Sequence, residues 1–224
     1  GINLKKNIKG IGTKISKYID EIIEYGYIQD LHNKNIEEES YNEFTKIIGV
    51  GNAKAKEWIS KDIKNIIQLK NEIKNGNIPI TNNINLGLKY YEDLQIRIPR
   101  QEIDILKEIM YKILNEIDKN LIFDICGSYR RKNNDSGDID FLITHKKYNS
   151  DNPQFKKYNY LTEILNSLKK NNIVVDEMTK NATKKFLGLC IIPGYNIVRR
   201  IDILFIDYKS YYSSYLYFTG NKHF

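Results

Sequence analysis

The sequence is poor in cysteine and histidine and holds no long apolar run, and each shortage narrows what the protein can be. Two cysteines in 224 residues, Cys126 and Cys190, cannot build a disulfide framework. Both lie in apolar segments and read as buried free thiols of a reducing compartment. The three histidines, His32, His145 and His223, are scattered and form no ligand pair. Apolar runs extend only a few residues, which excludes a membrane-spanning helix. No signal-peptide pattern is visible.

What is present points elsewhere. Hydrophobic residues make up 41% of the chain, enough for a true core. The length suits about one to three small domains. The net charge of +7 favours a polyanionic partner. Heavy use of Ile, Asn, Lys and Tyr has the look of AT-rich coding, so the placement of charge weighs more than its total. The chain starts at Gly1 without an initiator Met. It stops after "YLYFTGNKHF", a strand-like or loop-like stretch with no closing element. It therefore reads as a fragment of a longer protein.

Residues 1–70 read as short helices. In "ISKYIDEIIEY", Ile15, Ile19, Ile22 and Ile23 share a helical face. The segment also carries a repeat: "IKGIGTKISKYI" returns as "IIGVGNAKAKEWI", with Gly10 and Gly49 39 residues apart. Both copies run hydrophobic, any residue, Gly, hydrophobic, Gly, then three residues, then a small residue, Ser16 or Ala55. This is the helix-hairpin-helix pattern. Gly10, Gly12, Gly49 and Gly51 allow a tight turn, and the following helix begins with free N–H groups suited to a phosphate oxygen. Lys14 and Lys54 add charge beside each turn. Such contacts hold a backbone and read no base. An ordinary helical hairpin needing glycine for its turn is the alternative. Two copies on a basic chain favour DNA.

Residues 71–86 read as a polar, Asn-rich link, and Pro99 as the start of a helix. In that helix Ile103, Leu106, Ile109, Met110, Ile113, Leu114 and Ile117 form a core-facing stripe. From residue 121 strands appear: "LIFDICGS", "DIDFLIT", "NNIVVDEM", "KFLGLCII" and "RRIDILFI", with "LTEILNSLKK" as a helix. The second half is an α+β layer whose mixed sheet carries acids.

Asp138 and Asp140 alternate along a strand and face the same way. Asp202 sits among isoleucines on what reads as a neighbouring strand. Three converging carboxylates raise one another's pKa unless a cation joins them. Oxygen ligands of this kind suit Mg²⁺, and two ions about 3.5–4 Å apart could activate a hydroxyl and steady a leaving pyrophosphate. A general acid/base pair and plain surface acids on an edge strand are the competing readings of the acids alone. The full arrangement is more specific: Gly127-Ser128, nine residues, Asp138-Ile139-Asp140, then a distant strand acid. It is the signature of the nucleotidyltransferase fold.

The chain resembles the family X DNA polymerases, of the β and λ type. The resemblance runs through the tandem hairpins, "GLKYYEDLQIRIPRQE", "CGSYRRKNNDSGDIDFLITH", "KFLGLC", "RRIDILF" and "LYFTG". It implies an α+β multidomain architecture, with a helical helix-hairpin-helix region followed by a nucleotidyltransferase palm. The implied boundaries are 1–33 for the end of a lyase-like domain, 34–98 for a DNA-binding subdomain, 99–208 for the palm, and 209–224 for the start of a nucleotide-selecting subdomain. The first half of the amino-terminal domain and the rest of the closing subdomain would lie outside the fragment.

By the same resemblance, Asp138, Asp140 and Asp202 hold two Mg²⁺ ions, with Mn²⁺ able to substitute, and Asp202 lies nearest the primer 3′-hydroxyl. Ser128, Arg131 and Gly137 hold the β- and γ-phosphates, and Arg97 supports the triphosphate. Arginine suits that work through its fixed fork of donors. Arg200 steadies the primer-terminal phosphate. Tyr217, Phe218 and Gly220 line the sugar, and a Tyr-Phe pair argues for template-directed use of deoxynucleotides. Backbone carbonyls of Lys6, Ile8 and Ile11, and of Thr45, Ile47 and Val50, hold Na⁺ or K⁺.

Two departures stand out. The family's Schiff-base lysine falls at Tyr18, and a phenol cannot form an imine, so lyase activity is not expected. A gating arginine falls at Leu204. The implied activity is gap-filling DNA synthesis in base-excision or break repair. The partners would be gapped or nicked duplex DNA, deoxynucleoside triphosphates and a repair ligase, with no membrane, on a monomer. The location would be a nucleus for a cellular protein, or a virion or infected cytoplasm for a viral one. A non-catalytic DNA-binding scaffold and a template-independent nucleotidyltransferase are the alternatives.

Overall fold

In a computed structural model of the chain, the described residues are 11–152 and 159–220. The chain divides into two compact units, Gly1–Ile84 and Asn85–Phe224.

The first unit is helical: α1 Thr13–Tyr25, α2 Gln29–Thr45, α3 Asn52–Ser60 and α4 Ile66–Lys74. Its core gathers Phe44, Ala55, Trp58 and Leu69, all fully buried. Phe44 and Trp58 meet edge to face at 5.5 Å, the arrangement the ring quadrupoles prefer. Asn65 caps α4 by accepting from the Gln68 N–H at 2.9 Å, which satisfies one otherwise orphaned helix donor.

The isoleucine grouping holds, while the link expected at 71–86 changes. The isoleucine face of α1 stays largely open, with Ile23 75% exposed, while Ser16 and Glu21 are the buried residues. Helical spacing fixes which residues share a face and says nothing of what covers it. The supposed link 71–86 is not a solvated tether. Helix α4 runs on through Lys74, α5 (Asn82–Lys89) starts within the link, and Ile78, Ile84 and Leu86 are buried. A few apolar anchors outweigh an Asn-rich average.

In the second unit, α6 (Tyr91–Gln95) precedes β1 (Ile98–Pro99), which pairs antiparallel with β3 (Asp135–Ser136). Pro99 sits at the N-cap of α7 (Arg100–Ile117). Ile103, Leu106, Met110, Ile113 and Leu114 of that helix are buried, with Ile109 and Ile117 packed at the margin of the core. The main sheet has five strands: β2 (Leu121–Ile125), β4 (Ile139–His145), β5 (Val174–Glu177), β6 (Lys185–Ile191) and β7 (Val198–Phe205). Their order is β2-β4-β7-β6-β5, with β4 and β7 parallel and the other neighbours antiparallel.

Alternation along the strands sorts the chemistry. Beyond the single-turn helix α8 (Gly127–Arg130), Ile139, Phe141, Ile143, Ile201, Ile203 and Phe205 join the core that also takes in α7 and α9 (Tyr160–Lys170). Asp140, Leu142, Asp202 and Leu204 alternate with them. Leu142 and Leu204 belong to a second, small cluster with Cys126 and Tyr211. Cys126 and Cys190 are buried free thiols.

A buried ion pair fastens α7 to β7. Arg199 donates from Nε to Glu102 Oε1 at 2.9 Å, from Nη2 to Oε2 at 2.8 Å, and from Nη1 to the Ile96 carbonyl at 2.8 Å. The stretch "YLYFTG" departs from the strand-like or loop-like expectation: it ends helix α10 (Tyr211–Thr219). Tertiary anchoring overrides aromatic β-propensity there. Tyr211 is buried and donates to Asp124 Oδ2 at 2.8 Å, and Arg130 stacks 4.0 Å from the Tyr215 ring. No helix among the described residues is long and apolar enough to cross a membrane.

Candidate active site

Parallel pairing of β4 with β7 sets Asp140 directly opposite Asp202. Asp138 lies one residue before β4, in the bend rather than on the strand. The bend still delivers it: one carboxylate oxygen from each of Asp138, Asp140 and Asp202 lies within 4.8 Å of the others. Gly127 makes room. Its φ is +56°, and a Cβ built there would collide with Asp140 Oδ2, so this turn requires glycine on two grounds.

The electrostatics are those of a site built for a cation. Burial pushes the Asp140 carboxyl up to about 7, helped by the charges of Asp138 and Asp202 and opposed by Arg200 and Arg131. Asp202 is also raised, again mainly by burial, with Arg200 opposing. Mutual repulsion, the cause expected from sequence, comes second to desolvation. Arg200 Nη2 stands 3.0 Å from both Asp138 Oδ2 and Asp202 Oδ2 and supplies part of the missing positive charge. Among the described residues, Asp202 Oδ1 is buried with no hydrogen-bond partner. Such an orphan is costly unless something binds it. The donor set, carboxylate oxygens with one acceptor unclaimed, fits a hard divalent cation.

The other residues singled out in the sequence are partly gathered around this centre. Ser128 Oγ donates to Ser136 Oγ at 2.7 Å. Arg131 Nη1 donates to the carbonyls of Thr219 and Gly220, the latter at 2.8 Å. Arg97 pairs with Asp135 at 2.7 Å, and its guanidinium lies against Gly137, where a Cβ would come within 3.1 Å of Nη1. Phe218 lines a small cavity with Asp140, Asp202, Lys185 and Leu204, whereas Tyr217 is 72% exposed. Gly220 has φ +57°.

In the helical unit the repeat has a matching geometry. Gly12 and Gly51 are the N-caps of α1 and α3, with φ/ψ of −84°/177° and −97°/175°. Ser16 N–H reaches the Gly12 carbonyl at 3.0 Å, and Ala55 N–H the Gly51 carbonyl at 3.1 Å. Ser16 and Ala55 are both buried, as the pattern requires of its small residue. Gly49 has φ +84° and little room, with Asn83 and Ile84 atoms 3.2–3.3 Å from a built Cβ. Lys54 is engaged by Glu57 at 2.9 Å, and Lys14 lies 5.6 Å over the Tyr18 ring. Thr45 closes α2, and the Ile47 carbonyl accepts from Val50 N–H at 3.0 Å. Ile11 is half-buried beside Gly12. Lys6, Ile8 and Gly10 lie outside the described residues.

Sequence reasoning missed Glu102, Asp135, Asp124 and Lys185. Alternation alone would have put Arg199 and Arg200 on opposite faces, and so could have marked Arg199 as needing a buried acid. The others depend on contacts between distant segments.

A mixed sheet that sets two acids side by side on parallel strands, with a third at the preceding bend, is a palm of the nucleotidyltransferase type. Comparison with known proteins narrows this. Residues 97–208 match the family model described as DNA polymerase beta palm, and residues 42–95 match the fingers domain of DNA polymerase lambda. The chain belongs to the family X DNA polymerases. It is 28% identical over 223 residues to DNA polymerase lambda of Rattus norvegicus, covering 97% of this chain and 37% of the rat protein. It is 29% identical over 227 residues to DNA polymerase lambda of Arabidopsis thaliana, covering 96% and 41%. Against DNA-directed DNA/RNA polymerase mu of Homo sapiens the identity is 25% over 138 residues, 61% of this chain and 27% of that one. The chain spans about two fifths of the length of the lambda relatives it matches.

Proposed function

We propose that the protein is a template-dependent DNA polymerase that adds deoxynucleotides to a primer 3′-hydroxyl and fills short gaps during DNA repair. The observation that carries this reading is the convergence of Asp138, Asp140 and Asp202 around an unclaimed buried oxygen. These three carboxylates would hold two Mg²⁺ ions, which supply Lewis acidity and lower the pKa of a bound hydroxyl. Asp202, as the carboxylate nearest the primer 3′-hydroxyl, would help deprotonate that hydroxyl with the metal's assistance. Arg97, Arg131 and Ser128 orient the triphosphate, and Gly137 leaves space for Arg97 to do so. Arg200 exchanges its carboxylate partners for the primer phosphate. Tyr217, Phe218 and Gly220 select the sugar.

The paired glycine caps grip the DNA backbone through Gly10, Gly12, Gly49, Gly51, Lys14 and Lys54, with Na⁺ or K⁺ at the neighbouring carbonyls. Lyase chemistry is not part of the reading. Lys17 is tied to Glu21 at 3.3 Å, and that contact raises its pKa, so its amine stays protonated and poorly nucleophilic. A monomer working in a nucleus and handing nicked product to a ligase completes the picture.

The test is primer extension on a one-nucleotide-gapped duplex with the full-length protein. Extension by one templated nucleotide is expected, with loss in Asp202→Ala. Undiminished extension by that variant would overturn the assignment of the triad. Failure of the wild type to extend any primer while still binding the duplex would favour a scaffold.

A further inference from the structure

Arginines meant for an anionic substrate must do something before it arrives. Around this centre each of them already holds an acceptor. Arg200 holds two of the acids, and Arg131 holds the carbonyls that end α10. Arg97 is the distinct case, because its partner is a carboxylate with no other assignment. Its Nε and Nη2 both donate to Asp135 Oδ1, at 2.9 and 2.7 Å, and Nη2 also lies 3.4 Å from the Asp135 carbonyl.

The backbone enforces this meeting. In the β1–β3 ladder Ile98 pairs with Ser136 and Pro99 with Asp135, so Arg97, one residue before β1, falls opposite Gly137 and reaches Asp135 as a diagonal neighbour on the same face. The Nη1 corner of the guanidinium rests against Gly137, the residue before Asp138. The group therefore spans from the Asp135 carboxylate to the rim of the triad. Both side chains are more than half exposed. An ion pair in that setting is weak and exchanges cheaply, whereas a triphosphate offers more charge and more acceptors to the same donors.

We propose that Asp135 is an internal stand-in for the nucleotide's phosphates. It occupies Arg97 in the nucleotide-free protein and competes with the incoming triphosphate, and so sets nucleotide affinity. The inference rests on the reading that Arg97 serves the triphosphate. Its consequence has a sign that a merely structural role would not produce: removing the carboxylate tightens binding. Loss of one exposed pair implies about a two- to five-fold lower Kd. The gain shrinks as salt screens the charges.

The experiment is titration of the full-length protein with a deoxynucleoside triphosphate and Mg²⁺, in wild type, Asp135→Asn, Arg97→Ala and the double variant. Asp135→Ser serves as a second replacement, and circular dichroism checks that each variant is folded. The expected result is tighter binding in both Asp135 variants, weaker binding in Arg97→Ala, and no effect of Asp135→Asn once Arg97 is gone. Wild-type binding that weakens or stays unchanged in both Asp135 variants would overturn this proposal and leave the polymerase reading standing. So would a tightening that survives in the double variant. No triphosphate binding by the wild type would overturn the polymerase reading itself.

Discussion

Replacing Glu102 by Ala tests how the sheet is held to its helix. The side chains of Glu102 and Arg199 are 1% and 3% exposed and share two hydrogen bonds of 2.8 and 2.9 Å. With charge centres about 4 Å apart, the attraction is about 4 kcal/mol at an effective dielectric of about 20. Forming the pair also cost desolvation of both groups, so the net value of the intact pair is smaller. Removing one member is different, because Arg199 stays buried with the Ile96 carbonyl as its remaining acceptor. The expected loss is about 3–5 kcal/mol, a large share of the roughly 5–15 kcal/mol that stabilises a typical domain. With a urea slope of about 2 kcal/mol per molar, the midpoint should fall by roughly 1.5–2.5 M. The companion variant, Glu102→Leu with Arg199→Met, removes both charges and should recover most of the loss. Urea melts followed by far-ultraviolet circular dichroism measure both. A single variant that loses less than about 1 kcal/mol would refute the reasoning, as would a double variant no more stable than the single one.

Four further outcomes follow from the same physics. Asp140, with a folded pKa of about 7 against an ordinary value of 3.8, gives stability that is complete below the lower value and lost as pH rises through the upper one; melts in chelator should be higher at pH 5.5 than at pH 8, and Asp140→Asn should flatten the difference. Mg²⁺ binding near pH 6.5 should release protons, read by calorimetry in buffers of different ionisation heat. Gly127→Ala should abolish that metal binding, because the added methyl meets Asp140 at a left-handed turn. Tyr211→Phe should cost about 1–3 kcal/mol in urea melts by leaving Asp124 short of a donor.

Much of the site was legible because it obeys local rules. The two-residue period that puts Asp140 and Asp202 among alternating isoleucines is visible in "DIDFLI" and "RRIDILF", and Gly127 is a turn glycine whatever follows it. The helical stripe of α7 needs no partner to be recognised. What stayed hidden depends on distant segments. Asp135 meets Arg97 through a ladder two residues long, too short to leave a periodic trace. Glu102 finds Arg199 across 97 positions. The aromatic run ending in Phe218 is helical because Tyr211 is anchored by Asp124 and because Arg131 holds the carbonyls at the helix end. The isoleucine face of α1 was correctly grouped, but grouping does not reveal exposure.

Asp140 and Asp202 come from segments 62 positions apart and become neighbours only when β7 docks beside β4. A partly folded chain that has closed β2 on β4 carries no more than a two-acid remnant. Slipping β7 by one residue would set an isoleucine opposite Asp140 and drive Asp202 into the oily layer behind the sheet. Cation capture is thus a proofreader of topology: an ion held tightly certifies that the long crossover has been completed in the right frame, and loosely held metal would betray a chain still searching for it.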